Sequence, residues 1–288
     1  MLDCCTKTTI GGAIAISIGI YLWFKKSSAA KHAKLQEEWN KAGKDVVVLH
    51  QFPRASYCPN PSPYPIKIET FLRMAGIKYI NDFDEYMSPK GKSPWITFKG
   101  INVSDSQLAM EYLSKKLDID LDKNLTKEQR AQSRAIRALL EDKFYFALVM
   151  DRWGFNEGKI VYTHFGKPPK FIPVFAFNFL IKMVGRKMVV PQAVAQGLGR
   201  HSQSELEEIG VQDLEAVSAL LGNKPFIMGD QPTSVDLTLF GFMCMLLYVS
   251  MEECVYTRLI IEKLTNLKEH TERMKERFWS DWNDGLDN

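Results

Sequence analysis

The sequence has few cysteines, no large charge excess and no low-complexity tract. Its five cysteines (Cys4, Cys5, Cys58, Cys244 and Cys254) include no C-x-x-C pair, which argues against a zinc module or a disulfide framework. The 37 basic and 34 acidic side chains leave a net charge of only +3, which argues against a nucleic-acid binder that depends on its overall field. Aromatic residues make up 11% of the chain, so a folded protein without a metal site is expected.

One segment near the N-terminus, Thr9 to Phe24, contains no charged side chain. As a helix it reaches about 25 Å, near the lower limit for crossing a bilayer core. Trp23 at its end, followed by Lys25 and Lys26, is typical of a membrane interface with the body on the cytosolic side. The sequence therefore predicts a single-pass membrane anchor over residues 1–24; a cleavable signal peptide is the alternative.

Residues 25–44 form a polar, helix-prone stretch that we interpret as a basic juxtamembrane linker. Residues 25–34 contain four lysines, and the chain without them has 33 basic against 34 acidic residues. The positive excess therefore belongs to the membrane flank. Cys4 and Cys5, on the other side of the anchor, are either palmitoylation sites or inert thiols. The organelle stays open among the mitochondrial outer membrane, the lysosome and the endoplasmic reticulum.

The folded body begins near Asp45 with a β-α-β pattern. The apolar run from Val46 to Leu49 is typical of a buried strand. A proline-rich loop follows, and Ser62 with Pro63 supplies the cap and first position expected of a helix. Since Ile77 to Phe83 reads as a second strand, we predict a right-handed crossover between parallel strands.

A hairpin and a second helix complete the small α/β domain, residues 45–120. Pro94 at a strand start and the turn at Gly100 favour an antiparallel pair of strands. Ser104 and Gln107 have the spacing of a capping box for the next helix. Its expected buried stripe consists of Leu108, Tyr112, Leu113 and Leu117.

The rest of the chain, residues 121–288, reads as helical. Thr126 to Trp153 has the apolar spacing of a long amphipathic helix, and capping boxes begin at Ser202 and Thr233. Phe171 to Val184 is apolar but too short to cross a bilayer, which favours a helix in the core.

The body resembles the glutathione-transferase superfamily from Asp45 to about Leu267. The stretch P-F-x-x-G-D-x-P-T-x-x-D, residues 225–236, is similar to the capping motif of that superfamily's helical domain. More specific segments are QGLGRHS, residues 196–202, and Phe52-Pro53-Arg54. They resemble a branch that contains failed-axon-connections proteins, nematode cadmium-responsive proteins and, more distantly, metaxins. The resemblance implies a thioredoxin-like N-terminal domain followed by a glutathione-transferase-type helical C-terminal domain.

The same resemblance implies a site for glutathione at the start of the first helix. Ser62-Pro63-Tyr64 is similar to the Cys-Pro-Tyr/Phe motif of cysteine-type members, in which the first residue stabilises the thiolate of glutathione. Cys58 and Tyr57 are the alternative catalytic residues. Ser62 can also be a plain helix cap.

Two further pairs complete the implied binding site. Ser93 with Pro94 fits the place where the superfamily pairs backbone with the cysteinyl part of glutathione before a cis-proline. Asp105 and Ser106 fit the helix start that holds the γ-glutamyl group. For Pro94 itself a trans bond is the default without the resemblance.

Three functions follow from this resemblance. The first is a membrane-anchored protein that binds glutathione as cosubstrate and acts on electrophiles or in toxic-metal stress, with turnover undecided and a homodimer possible. The second is a catalytically silent, metaxin-like scaffold for protein contacts at an organelle membrane or in neuronal development. The third, ranked last, is a relative that inserts into bilayers through Phe171 to Val184. Glu252, Glu253 and Cys254 are too few to bind a soft metal such as cadmium.

Overall fold

The computed structural model describes residues 33–37, 39–41, 43–156, 173–250, 254–284 and 286. Within them, four strands form one mixed sheet in the order β2-β1-β3-β4. The strands are β1 (Val47–His50), β2 (Tyr79–Asp82), β3 (Trp95–Phe98) and β4 (Ile101–Ser104). β1 is parallel to β2 and antiparallel to β3, and β3 and β4 form an antiparallel hairpin. The predicted parallel pair and hairpin are both confirmed.

Two helices cover the sheet, α1 (Pro63–Met74) and α2 (Ser106–Leu117). α1 crosses between the parallel strands as predicted, with prolines at its first positions. Ile66, Ile68 and Phe71 of α1 are buried, because the apolar positions of this helix face the sheet on one side and the helical domain on the other. This is the thioredoxin-like half of the fold.

A buried histidine links three strands of the sheet. His50 ends β1, and its Nδ1 lies 2.7 Å from Asp82 Oδ2 of β2. Its Nε2 lies 2.9 Å from Thr97 Oγ1 of β3. The ring stacks on Trp95 with centroids 3.5 Å apart. Since the imidazole is fully buried, these contacts fix the strand ends rather than offer a reactive group.

The C-terminal half is helical. A continuous right-handed helical segment joins α3 (Lys127–Ala138) and α4 (Tyr145–Val149) through a wide turn at Leu139–Phe144, with a second at Met150–Phe155. The remaining helices are α5 (Val174–Gln196), α6 (Gln203–Leu221), α7 (Ser234–Cys244), α8 (Val255–Glu262) and α9 (Thr265–Phe278). The capping boxes predicted at Ser202 and Thr233 are confirmed.

α7 is the central helix of this half, and every one of its residues from Val235 to Cys244 is buried. The carboxylate of Asp236 accepts hydrogen bonds from the backbone N–H of Ile227 and Thr233, both at 2.8 Å. α7 packs directly on α1, since a Cβ placed on Gly241 would lie 2.5 Å from the Pro63 carbonyl oxygen. Glycine at 241 therefore allows the two domains to meet at the start of α1.

The prediction of a core helix at Phe171 to Val184 is wrong. The helix exists, as α5, but Ala193 is its only buried residue. Phe175 is 78% exposed and Phe179 62% exposed. Apolar content alone cannot distinguish a helix surrounded by the protein from one that presents its apolar side outward.

None of the helices that the structure describes is both long enough and apolar enough to cross a bilayer. The predicted anchor, residues 1–24, and half of the predicted linker lie outside the described residues.

Candidate functional site

The starts of β3 and α2 lie next to each other at one edge of the sheet. The Ser93–Pro94 peptide bond is cis. The backbone N–H of Asp105 donates to the Pro94 carbonyl at 3.3 Å, and Trp95 pairs with Ser104 across the hairpin. The structure therefore brings Ser93, Pro94, Asp105 and the adjacent Ser106 into one group.

Asp105 is the cap of α2. Its Oδ1 accepts from the backbone N–H of Gln107 at 2.9 Å and of Leu108 at 3.3 Å. The predicted capping box with Ser104 as cap is wrong, because Ser104 is still in the strand and the helix begins one residue later. Leu108, placed by prediction in the buried stripe, is 51% exposed as a result.

The backbone of Asp105 is strained. Its φ is +87°, a region that non-glycine residues rarely adopt. Strain of this kind costs about 1–3 kcal/mol and is concentrated at ligand sites, where the surrounding structure maintains it. Here the backbone bond to Pro94 and the two capping bonds hold the residue in place.

Lys92 donates a hydrogen bond to the other oxygen of the same carboxylate, with its Nζ 2.6 Å from Oδ2 of Asp105. Burial raises the pKa of Asp105, but hydrogen bonds from Lys92 and from the N–H groups of α2 outweigh it, so the pKa lies below its ordinary value. The site thus presents a carboxylate at neutral pH. Because Lys92 is 58% exposed, a ligand ammonium can replace it at modest cost.

Ser93 and Ser106 belong to the same group through the backbone contact between Pro94 and Asp105. The Ser93 Oγ is buried and has no hydrogen-bond partner among the described residues. A buried hydroxyl without a partner costs about 1–3 kcal/mol. Ser106, at the first position of α2, is 4% exposed.

Ser62 stands at the N-cap position of α1, but its hydroxyl makes no capping hydrogen bond. The expectation that it is an ordinary side-chain cap is therefore wrong. Instead its backbone N–H donates to Asn60 Oδ1 at 3.1 Å, so Asn60 shapes the approach to the helix. The Ser62 side chain is half-buried.

The two alternative catalytic residues lie in different environments. Cys58 is fully buried, and burial together with Cys58 raises the pKa of the Cys244 thiol of α7. A thiol in this position has no access to substrate, which corrects its assignment as a reactive loop thiol. Tyr57 is 58% exposed on the same loop.

A buried lysine, missed by the sequence reasoning, connects this region to the helical domain. Lys67 of α1 donates to Gln107 of α2 at 2.6 Å and to Glu141 at 2.5 Å. Burial lowers the pKa of Lys67, and the neighbouring carboxylate of Glu141 opposes that shift. This contact fixes α1, α2 and the helical domain relative to one another.

A second polar network, also missed, holds the loop that precedes α1. Both guanidinium nitrogens of Arg54 donate to the buried carboxylate of Glu69, at 2.7 and 2.8 Å. Arg73 bonds the same carboxylate at 3.3 Å and also pairs with Asp281 near the C-terminus. The signal in the sequence was the charged residues inside an otherwise apolar helix, Lys67, Glu69 and Arg73.

The residues that the structure describes contain no group of three or more His, Cys, Asp or Glu side chains arranged to hold a metal ion. Of the acidic stretch considered for cadmium, Glu252 and Glu253 lie outside the described residues. Cys254 is buried, with its Sγ 3.6 Å from Asp151 Oδ2.

Comparison with known proteins agrees with this architecture. The family "Glutathione S-transferase N-terminal domain" matches residues 63–159, and "Glutathione S-transferase, C-terminal domain" matches residues 210–274. Isoprene-epoxide–glutathione S-transferase of Rhodococcus is 30% identical over 68% of this chain and 84% of its own length.

Two further relatives belong to the branch that the sequence resembles. Failed axon connections of Drosophila melanogaster is 34% identical over 90% of this chain, which spans only 64% of that protein. Metaxin-2 of mouse is 24% identical over 76% of this chain and 83% of its own length.

Solved structures confirm the fold. The beta-etherase LigF from Sphingobium superposes with a TM-score of 0.54 at 14% identity, covering 83% of this chain and 96% of its own. A glutathione S-transferase from Methylobacterium radiotolerans, in complex with glutathione sulfonate, gives 0.53 at 16% identity, covering 84% and 92%. The sheet order, the two-domain arrangement and these matches agree, and the chain belongs to the glutathione S-transferase superfamily.

Proposed function

We propose that this protein binds glutathione at the group formed by Ser93, Pro94, Asp105 and Ser106. The proposal rests on the strained backbone of Asp105 and on the partnerless hydroxyl of Ser93, which precedes the proline whose carbonyl bonds Asp105. Both features cost free energy in the protein alone, and a polar ligand that bonds to them would offset it. The Rhodococcus relative is named for a glutathione reaction, which supports the same ligand.

Each residue has a distinct part in this binding. The backbone of Ser93 pairs with the cysteinyl residue of the tripeptide. The start of α2 at Ser106 receives the γ-glutamyl carboxylate, since N–H groups at a helix start attract anions. The carboxylate of Asp105 receives the γ-glutamyl ammonium in place of Lys92.

Calorimetric titration of the full chain in mild detergent with glutathione tests this assignment. We expect saturable binding, weakened by Asp105→Asn by about 1.5–3 kcal/mol, the range of a hydrogen bond to a charged group. Lys92→Gln should leave binding intact or strengthen it, because it frees the carboxylate. Lys90→Gln, an exposed lysine close by, is the matched control. No saturable binding at millimolar glutathione would exclude the proposal.

We further propose that Ser62 donates to the thiolate of the bound glutathione. Its hydroxyl makes no capping bond, so it is available to a sulfur at the helix start, where the dipole also favours negative charge. Tyr57 is the second candidate for this part. Ser62→Ala should abolish conjugation of an aryl halide while glutathione still binds, and unchanged turnover would exclude Ser62.

A catalytically silent scaffold, comparable with metaxin-2, is the second candidate function. It is favoured by the close packing of the Pro63 carbonyl on Gly241 and by the burial of Cys58, both of which limit access to the start of α1. The titration separates the two functions, since a scaffold that has lost its ligand gives no heat with glutathione.

The cellular setting is also part of the proposal. The uncharged segment from Thr9 to Phe24 anchors the protein in a membrane with its body in the cytosol, where it acts in electrophile or toxic-metal stress, as a monomer or a homodimer. Release of the full-length protein from membranes by alkaline carbonate would contradict the anchor.

A further inference from the structure

α5 presents a large apolar surface that nothing in the described residues covers. Eight of its large apolar side chains are at least 40% exposed, and seven of these lie between residues 174 and 188. We call them the α5 face: Val174, Phe175, Phe179, Leu180, Met183, Val184 and Met188. Contiguous apolar surface of this size on a folded protein marks an interaction site.

The spacing of these residues makes the face continuous. Phe175, Phe179 and Met183 follow one another at intervals of four and form one row along the helix. Leu180, Val184 and Met188 form the neighbouring row with the same interval. On the other side, Gly185 packs against the Trp153 ring, so the helix is attached to the domain through its inner side while both rows stay outside.

The sequence segment that contains the face carries charge of a single sign. From residue 158 to residue 204 the sequence contains seven Lys or Arg and no Asp or Glu. Of the 37 basic residues of the chain, this leaves 30 against 34 acidic residues elsewhere. Arg186 and Lys187, both exposed, lie on α5 itself, where Lys187 follows Met183 at the same interval of four and continues the first row. The segment that carries the face is thus basic, on a chain that is otherwise slightly acidic.

Arg186 is held in place. Its Nη1 donates to the backbone carbonyls of Trp153 and Gly154 at 3.2 and 3.1 Å. A basic group fixed at the border of an apolar surface suits a partner that is apolar inside and anionic at its surface.

We propose that the α5 face docks in the plane of an anionic lipid bilayer. The Phe, Leu and Met side chains enter the boundary between headgroups and acyl chains, and Arg186 and Lys187 lie among the lipid phosphates. In this proposal the helix lies on the membrane and does not cross it. This contact is separate from the proposed N-terminal anchor and from glutathione binding.

The test uses the full chain on phosphatidylcholine vesicles with and without phosphatidylserine, and compares two variants. The first carries Phe175→Ser, Phe179→Ser and Lys187→Gln. The matched control carries Leu220→Ser and Lys224→Gln, which replace one exposed apolar and one exposed basic residue at the end of α6. Circular dichroism verifies that both variants fold.

We expect phosphatidylserine to strengthen binding of the wild-type chain and of the control, through the N-terminal segment and α5 together. In the α5 variant the gain in affinity caused by phosphatidylserine should be at least about ten times smaller. Loss of the lysine alone should reduce this gain by about fivefold. Hydrogen exchange of residues 174–188 should slow on phosphatidylserine vesicles in the wild-type chain.

Three results would overturn the proposal. The first is an equal phosphatidylserine gain in the α5 variant and the control. The second is a rate of hydrogen exchange at residues 174–188 that vesicles do not change. This result is expected if another segment of this chain covers the face. The third is protection that rises with protein concentration in the absence of vesicles, which would identify a second copy of the chain as the occupant.

Discussion

Replacing Glu69 by glutamine is the sharpest test of how the first helix is held. The carboxylate is fully buried and bonded by Arg54 and Arg73, whose side chains are only 18% and 15% exposed. It also accepts from Gln51 at 2.8 Å and from the Tyr79 hydroxyl at 3.0 Å. Glu69→Gln keeps the size of the side chain but leaves two guanidinium groups without their shared counterion.

The expected cost is large. Breaking a buried ion pair by removing one partner destabilises a protein by about 3–5 kcal/mol. Part of this is recovered here, because Arg73 retains Asp281, which is 44% exposed. We therefore expect the free energy of unfolding to fall by about 3 kcal/mol at neutral pH. Urea denaturation of the full chain in mild detergent measures it.

The pH dependence gives an independent readout of the same carboxylate. Burial raises the pKa of Glu69, but hydrogen bonds and charge from Arg54, with help from Gln51 and Arg73, outweigh it, and the pKa lies below its ordinary value. A carboxyl whose folded pKa is depressed stabilises the fold fully above the unfolded pKa of about 4.3. That stabilisation is lost as the pH falls through the folded pKa. The difference in the free energy of unfolding between wild type and Glu69→Gln should therefore become smaller at acid pH.

Glu215→Gln, on the exposed side of α6, is the control for loss of one carboxylate. It should change the free energy of unfolding by less than about 0.5 kcal/mol. If Glu69→Gln costs no more than this control, or if its cost is the same at acid and neutral pH, then the buried network does not hold the loop before α1 as argued.

Three further predictions concern buried contacts, the first within the helical domain and the other two between the domains. Asp236→Ala should lower the free energy of unfolding by about 3 kcal/mol in thermal denaturation, because it leaves the buried backbone N–H groups of Ile227 and Thr233 without an acceptor. Gly241→Ala should cost about 1–3 kcal/mol in the same assay, since the new methyl group meets the Pro63 carbonyl; no loss would mean that the helices separate freely. Lys67→Met should cost about 3–5 kcal/mol, and Lys67→Met with Glu141→Leu markedly less, because the double change leaves no unpaired buried charge; additive losses in a double-mutant cycle would contradict the pairing.

The elements of the fold were predictable where a local pattern decides them. The apolar run ending at Leu49, the turn at Gly100 and the capping boxes at Ser202 and Thr233 each depend on a few neighbouring residues, and all are confirmed. The predicted cap of α2 is one residue too early. Ser104 and Gln107 have the spacing of a capping box, and nothing in the local sequence indicates the φ of +87° at Asp105.

Contacts between residues that are distant along the chain could not be predicted from the sequence. The apolar stretch in α5 has the composition of a core helix, and only its position in the fold leaves Phe175 outside. Likewise Glu69 meets Arg54 and, through Arg73, Asp281, residues up to 212 positions apart in the chain. The charged residues inside α1 indicated that they have partners of opposite charge, but not which residues those partners are.

The balance between enzyme and scaffold depends on the first turn of α1. A helix start stabilises an anion mainly through its free N–H groups, and here Pro63 and Pro65 have none. The Pro63 carbonyl is also packed on Gly241, which fixes the direction in which the helix begins. A glutathione thiolate at this end would therefore depend on few donors, and the hydroxyl of Ser62, which makes no capping bond, would become the dominant one. Catalysis in this chain should consequently be more sensitive to Ser62→Ala than it would be in a relative whose first turn keeps all of its N–H groups.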